Sequence, residues 1–489
     1  MLLNTAHQAA ATPAPSRLPS TQPAAARRRA RACAHVRTGD LSRARHTLTS
    51  LPLAPGTAAT LAALRDPARR PPTLLRPIPE EVRRAAAPPP TRFSAQIVAD
   101  ALRSAKRGSA AGLSGSTTDH YKTLLADEEA LDLLAVAVTR LAAADLPAPA
   151  LAALRLARLT AIQKPDGGVR GDAFRRLASR VLARHYAATF DRLTRPFQYA
   201  LQARAGTDAL AGLLRASLET DPGTVVVSID GRAAYDTVSR ATVLSQVSAL
   251  VPSLLPFVQA FYGSTSTYLW RDELGEPHIL EQGEGLEQGD SLAPALYALA
   301  QHRTLAAAAQ VLPPTATLAA FLDDLYILCP TPQARSAYNT VTRAVAAHAG
   351  VSANQGKTRI YGSLPQAAPA DLADLGPAVW CSDREPAARG FVAVGTPLGS
   401  PEYIAAHLEA RLQEHQHLLD ELPQLPDLQS AWLLLTFCAA PRAQHSLRTI
   451  PPSATTCYAT AHDTAIAGAL AALLGEPNGL PGAAQEWAG

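Results

Sequence analysis

The chain has 489 residues, 47% of them hydrophobic, and a formal charge of +4. It is too apolar to be wholly disordered and long enough for two to four structural units, and its slight positive excess suits a nucleic-acid partner. No apolar run reaches ~18 residues, so no membrane-spanning helix is expected. The five cysteines, Cys33, Cys329, Cys381, Cys438 and Cys457, form no Cys-x-x-Cys pair, which argues against a zinc knuckle and a disulfide framework.

Residues 1–92 are rich in Ala, Pro, Arg, Ser and Thr. Such a segment buries too little to fold alone and is expected to be a largely disordered basic extension, with one short helix near 41–51. Its cluster Arg27-Arg28-Arg29-Ala30-Arg31 reads as a solvated tail, with a nuclear address or a nucleic-acid-binding arm as alternatives. The acid-poor start also has the look of an organelle transit peptide.

From 93 onward Ile97, Ala101, Leu102 and Ala105 fall at helical spacing. The helix runs into Lys106-Arg107-Gly108-Ser109, a positive, flexible loop suited to a phosphate backbone or serving as a plain linker. Two Leu/Ala helices over 131–159 break at Pro147 and Pro149. A strand from Leu159 then meets the turn Pro165-Asp166-Gly167-Gly168, with Lys164 and Arg170 on either side. The next helix, 173–193, carries Arg175, Arg176, Arg180, Arg184 and His185; most of that basic face is expected to be solvated, part of it tracking a template.

Residues 224–229 form a β-branched strand ending in Asp230, followed by Gly231, Tyr235 and Asp236. A helix is predicted over 240–250. The turn Gly285-Leu286-Glu287-Gln288-Gly289-Asp290 then opens an Ala/Leu helix to about 311, capped by Asp290 or Ser291. In 319–329 the acids Asp323 and Asp324 interrupt an apolar run, which predicts strand, turn, strand. Asp-Asp is poor chemistry for a two-residue hairpin turn, which needs positive φ. Two anions between buried strands repel each other and lose hydration unless a cation neutralises them. The bland alternative is an exposed tip that keeps a sheet edge soluble. Asp230, at the end of a different strand, could join the pair on two metal ions about 3.5–4 Å apart.

Beyond the hairpin, a helix over 332–349 stops at Gly350, and Asn354, Lys357 and a strand at 358–361 follow. A hairpin over 391–398 is predicted to turn at Gly395-Thr396-Pro397. The remainder reads as helices, with Trp432 as core.

Five stretches, in this order, resemble the reverse transcriptases, most closely the non-LTR (LINE-like) type. They are Ile229-Asp230 with Ala234-Tyr235-Asp236; 285–294; Phe321-Leu322-Asp323-Asp324; 350–354 with Lys357-Thr358; and Gly395-Thr396-Pro397-Leu398-Gly399. The resemblance covers roughly residues 100–450 and implies an α+β right-hand polymerase. Its fingers and their connection would lie in 93–222, and an antiparallel-sheet palm backed by helices in 223–400. The reverse transcriptase domain would span roughly 150–400 and a helical thumb 401–489. By the same resemblance Asp230, Asp323 and Asp324 hold two Mg²⁺ or Mn²⁺ ions, and Lys357 is a general acid for pyrophosphate. Lys164 and Arg170 meet the triphosphate, Tyr235 lies under the sugar, Gln288 and Gly289 line the nucleotide pocket, and 395–399 grip the primer. Asp236 is expected to be structural.

The implied partners are an RNA template, a DNA primer and dNTPs, with no membrane; an endonuclease would come from another chain. The expected location is the nucleus, with cytoplasm or an organelle as alternatives. One departure stands out: Arg170 runs through Gly171-Asp172 straight into the next helix, so the fingers return strand is shortened or missing. That leaves a catalytically decayed nucleic-acid-binding protein as the first alternative and a two-metal phosphohydrolase as the second.

Overall fold

The computed structural model describes residues 23–50, 53–67, 72–86, 88–89, 91–161, 168–201 and 204–476. In its first segment the short helix expected near 41–51 is present, but residues 23–50 are folded where a largely disordered extension was expected. Ala24–Arg37 (α1) and Leu41–Thr49 (α2) are helices, and the Asp40 carboxylate caps α2 by accepting from the Arg43 N–H at 3.0 Å. Helices this short are marginal alone. They persist because Ala32, Val36, Ala44 and Leu48 pack on Leu418, Leu419, Leu422, Leu434 and Leu435 near the other end of the chain. Arg28 and Arg29 of the basic cluster both reach Glu421, at 2.7 and 2.9 Å. Composition hid this because the partner surface lies 393 residues away. Ala58–Arg65 (α3) follows.

Ten strands occur among the described residues: Ala157–Thr160 (β1), Gly168–Arg170 (β2), Thr224–Ile229 (β3), Ser266–Arg271 (β4), Pro277–Gln282 (β5), Thr317–Phe321 (β6), Asp324–Pro330 (β7), Arg359–Gly362 (β8), Gly390–Ala393 (β9) and Thr396–Gly399 (β10). The first sheet has the order β2-β1-β4-β5. β1 pairs antiparallel with β2 and parallel with β4. The return strand β2 is thus present but only three residues long. Leu61 and Leu64 of α3 pack with Ala157, Leu159, Tyr268 and Trp270 of this sheet. Ala173–His185 (α4) starts directly after β2, capped by Asp172.

The central sheet, β6-β7-β3-β8, is antiparallel throughout. Successive side chains of a strand face opposite sides, so a strand covered on both faces reads as a continuous apolar run. Val225, Val227 and Ile229 of β3, with Leu325, Ile327 and Cys329 of β7, enter the large core. That core includes residues of Arg240–Leu250 (α5), Ala293–Val311 (α6) and Ala334–Ala344 (α7). Val226, Tyr326 and Leu328 face the other way, onto Phe391 and Leu398 of the β9–β10 hairpin. The hairpin turns at Val394-Gly395, at φ +44° and +82°, with Ala393 opposite Thr396. The turn is therefore one residue earlier than expected, and Thr396 and Pro397 belong to the strand. Positive φ at both central positions matches the twist of the flanking strands.

Pro401–Glu421 (α8), Leu428–Leu434 (α9) and Pro452–Leu474 (α10) build the C-terminal helical unit that receives α1 and α2. Within it His415 and His462 are buried, their ring centroids 5.7 Å apart. Among the described residues neither ring nitrogen of His415 has a hydrogen-bond partner.

Candidate active site

The central sheet brings the three expected acids to one of its ends. Ile229 faces Leu325 across β3–β7, and Phe321 faces Asp324 across the β6–β7 hairpin. Asp230 follows the end of β3 and Asp324 begins its neighbour β7. The turn is therefore Leu322-Asp323, not Asp323-Asp324, and Leu322 supplies the positive φ at +56°. Burial pushes both carboxyls of the hairpin up. In Asp324, burial and then the charges of Asp323 and Asp230 raise the pKa to about 6, with Lys357 partly opposing. In Asp323, burial is again the largest cause; its own backbone hydrogen bond opposes it, and Asp230 adds to the rise.

Asp230 is engaged from the segment after Gly350. Its carboxylate accepts from Asn354 Nδ2 at 3.0 Å and faces Lys357 Nζ at 3.5 Å, and its backbone carbonyl accepts from the Asn354 N–H at 2.8 Å. Among the described residues no three His, Cys, Asp or Glu side chains form a ready-made ion cage. The donor chemistry nevertheless fits a hard divalent cation, which takes carboxylate oxygens and would compensate the buried charges of Asp323 and Asp324.

Tyr235 stacks on Tyr297 of α6, centroids 4.9 Å apart and planes 18° from parallel. Burial, then the nearby charge of Asp323, holds the Tyr235 hydroxyl well above its ordinary range. Beside it runs the loop into α6. The Gly285 N–H donates to the Val238 carbonyl and the Leu286 N–H to the Tyr235 carbonyl, at 2.9 and 2.7 Å. A Cβ on Gly285 would lie 2.3 Å from the Asp236 carbonyl oxygen, and φ there is +79°, so the close approach requires glycine. Gln288 and Gly289 are exposed at the tip of this loop.

The loop rests on a buried charge network that sequence reading did not find. Arg175 of α4, expected on a solvated face, is 2% exposed and forms two 3.0 Å contacts with the Glu287 carboxylate. Its guanidinium also lies 4.1 Å from the Phe261 ring centroid. Asp290 accepts from Tyr262 Oη at 2.7 Å, from the Ser179 hydroxyl, and from the Leu292 N–H at 3.0 Å. The N-cap position of α6 is Leu292 and has no side-chain cap bond, so the capping expected of Asp290 or Ser291 is not made; Asp290 instead fixes the turn before the helix. Burial raises the Glu287 carboxyl although Arg175 opposes it. For Arg175, burial alone would lower the pKa, but Glu287, Tyr262 and Asp290 outweigh it. Arg240 is likewise fully buried, donating to the Gly285 and Ser264 carbonyls at 2.8 Å and to Ser266 Oγ at 2.9 Å.

A cleft of about 530 Å³ opens beside the acids, lined among others by Asp230, Asp324, Lys357, Arg359, Arg384 and Gly395. Of the five expected primer-contacting residues, Gly395 lines it, whereas Thr396, Pro397 and Leu398 are buried and Gly399 partly so. Lys164 lies outside the described residues. Arg170 is described in its backbone alone, which pairs with Arg158. Asn354 stood in a quoted motif without a role, and Gln198, which contacts the acid-bearing turn, carried no signal beyond being a glutamine before a helix.

Residues 162–371 match the family model described as reverse transcriptase (RNA-dependent DNA polymerase). This segment is similar to reverse-transcriptase domains. That segment, a little under half of the chain, contains all three acids, Tyr235, the 285–294 loop and Lys357. No curated protein sequence matches the chain. Among solved structures it is similar to telomerase from Candida albicans in complex with a TWJ fragment of telomeric RNA, at 11% identity and a TM-score of 0.38, over 69% of this chain and 63% of that one. It is also similar to apo telomerase from Candida tropicalis, at 12% identity and a TM-score of 0.34, over 61% and 55%. The chain thus spans less than two thirds of the length of those telomerase chains.

Proposed function

We propose that the protein is an RNA-directed DNA polymerase of the non-LTR retrotransposon type, adding dNTPs to a primer 3′-hydroxyl. The observation that carries this reading is the meeting of Asp230 with Asp323 and Asp324 at one sheet end, inside the segment that matches the family model. Asp230 and Asp323 would hold two divalent cations, Mg²⁺ or Mn²⁺, with Asp324 assisting. When bound, such ions supply positive charge that favours the alkoxide form of the attacking hydroxyl and steadies the leaving pyrophosphate.

The chain's own residues do the positioning, which is most of the chemistry in phosphoryl transfer. Tyr235, braced flat on Tyr297, offers a rigid ring where a ribose 2′-hydroxyl would clash, favouring deoxynucleotides. Lys357 stands beside Asp230, able to donate a proton to pyrophosphate. Arg359 and Arg384 give the cleft a cationic wall for a primer backbone, and the β9–β10 hairpin forms its edge. In this reading residues 93–222, with β1 and β2, are the fingers and their connection, and the C-terminal helices are the thumb. The three-residue β2 favours a second reading, in which the fold binds nucleic acid without extending it.

Primer extension on a defined RNA template, with each dNTP omitted in turn and with or without Mg²⁺, separates the two. Template-directed, metal-dependent products support polymerisation; binding of the hybrid with no product supports the second reading.

A further inference from the structure

The β6–β7 turn is held from outside the hairpin. Residues 197–199 run beside β6: the Ala320 N–H donates to the Phe197 carbonyl at 2.8 Å, and the Tyr199 N–H to the Ala320 carbonyl at 2.9 Å. That pairing faces the side chain of Gln198, 6% exposed, toward the turn. Its Oε1 accepts from the Leu322 N–H at 2.9 Å, and its Nε2 donates to the Leu322 carbonyl at 3.2 Å. One carboxamide thus satisfies both peptide groups of one residue. The same Nε2 donates to Gln301 Oε1 at 3.3 Å, and Gln301 Nε2 points to Tyr297 Oη at 3.5 Å.

Leu322 is the residue that needs holding. At φ +56° it sits in the left-handed region, where an L side chain costs roughly 1–2 kcal/mol. Turns of this length normally use glycine or asparagine there. A leucine survives when its surroundings over-determine the conformation. The residue after it is Asp323 and the next is Asp324, so the peptide planes of Leu322 set the direction in which both carboxylates leave the hairpin.

We propose that Gln198 is the positioning residue for the acid-bearing turn, and that Gln301 fixes the orientation of its carboxamide. The inference rests on the polymerase reading for its catalytic consequence, but not for its structural one. Asn at 198 is one methylene too short to reach both groups, Glu can accept but not donate, and Met fills the space while offering neither bond. The line Tyr235–Tyr297–Gln301–Gln198–Leu322, buried in its three middle members, also connects the ring under the sugar to the acids, so misplacing the turn should disturb ion binding before nucleotide binding.

The test compares the full-length protein with Gln198→Met, Gln198→Glu and Gln301→Leu by two measurements that need no turnover. In hydrogen exchange, the peptide spanning 318–326 should exchange at least ~10-fold faster in Gln198→Met, since the Leu322 N–H loses its partner. In Mn²⁺ titration followed by electron paramagnetic resonance, the apparent Kd should rise by a similar factor, with an intermediate rise for Gln198→Glu. In extension assays kcat should fall while KM for dNTP stays within ~3-fold. Faster exchange with unchanged Mn²⁺ affinity reduces Gln198 to a structural amide and overturns the proposal, as does unchanged exchange. A loss of Mn²⁺ affinity matched by a lower melting temperature, and recovered on cooling, overturns it too. If the unaltered protein binds Mn²⁺ without extending primers, the polymerase reading fails while the proposal for Gln198 is still decided by the first two measurements. If it binds no Mn²⁺ at the acids, the proposal falls.

Discussion

Removing Arg175 is the sharpest perturbation of the scaffold behind the nucleotide loop. Its guanidinium and the Glu287 carboxylate are 3% and 4% exposed, and Asp290 Oδ2 lies 4.0 Å from the same Nη2. Arg175→Met deletes the cation shared by two buried acids. Breaking one side of such a pair costs about 3–5 kcal/mol, because the remaining charge stays buried without compensation. Asp290 keeps its bonds from Tyr262 and Ser179, so the lower end, about 3 kcal/mol, is expected. Replacing both members, Arg175→Met with Glu287→Leu, removes the orphaned charge and should recover most of the loss.

Glu287 already titrates above its ordinary value because of burial, with Arg175 opposing the rise. Without Arg175 the folded-state value climbs further, and a carboxyl raised on folding is destabilising once pH exceeds its unfolded value. The gap between variant and wild type should therefore narrow as pH falls toward the unfolded value. Urea unfolding followed by circular dichroism, at several pH values, reads all three proteins. A single variant within 1 kcal/mol of wild type, or a double variant no better than the single, would refute the reasoning.

Three further outcomes are expected. His415 is pushed down to about 4 by burial, then by the charges of Arg442 and Arg411 and by His462. The protein should therefore lose on the order of 2 kcal/mol as pH falls from ~6.5 toward 4, and His415→Leu should flatten that slope in thermal melts. Leu48→Ala, in a fully buried α2 side chain, should cost about 3 kcal/mol and speed proteolysis of the C-terminal helices; unchanged protease resistance would mean that α1–α2 do not support that unit. Tyr235→Val should raise incorporation of ribonucleotides relative to deoxynucleotides by roughly 10-fold, about 1.4 kcal/mol of discrimination, measured as a ratio of kcat/KM values.

What could be read from the chain was what local pattern encodes. The β-branched run before Asp230, the Asp323-Asp324 interruption and the glycine-rich entry to α6 each declare an element, and their order gave the central sheet. What escaped depends on partners distant in sequence. Arg175 looks like one of several surface arginines until Glu287 faces it. The α1 and α2 segments look like tail until Leu418 and Leu434 cover them. The hairpin slipped by one residue because Leu322 adopts the positive φ that residue preference assigns elsewhere, and the glutamine that makes this tolerable lies on a separate segment. The parallel pairing of β1 with β4 likewise has no local signature.

The central claim is that the three acids act together on one phosphoryl transfer. The most direct measurement is the rate of single-nucleotide addition to an RNA-templated DNA primer by wild type, Asp230→Asn and Asp323→Asn, at hybrid concentrations that saturate each protein. The account predicts template-directed addition by wild type and a fall of at least ~10³-fold in each variant, with hybrid affinity retained. Addition that continues at the wild-type rate in Asp323→Asn would contradict it.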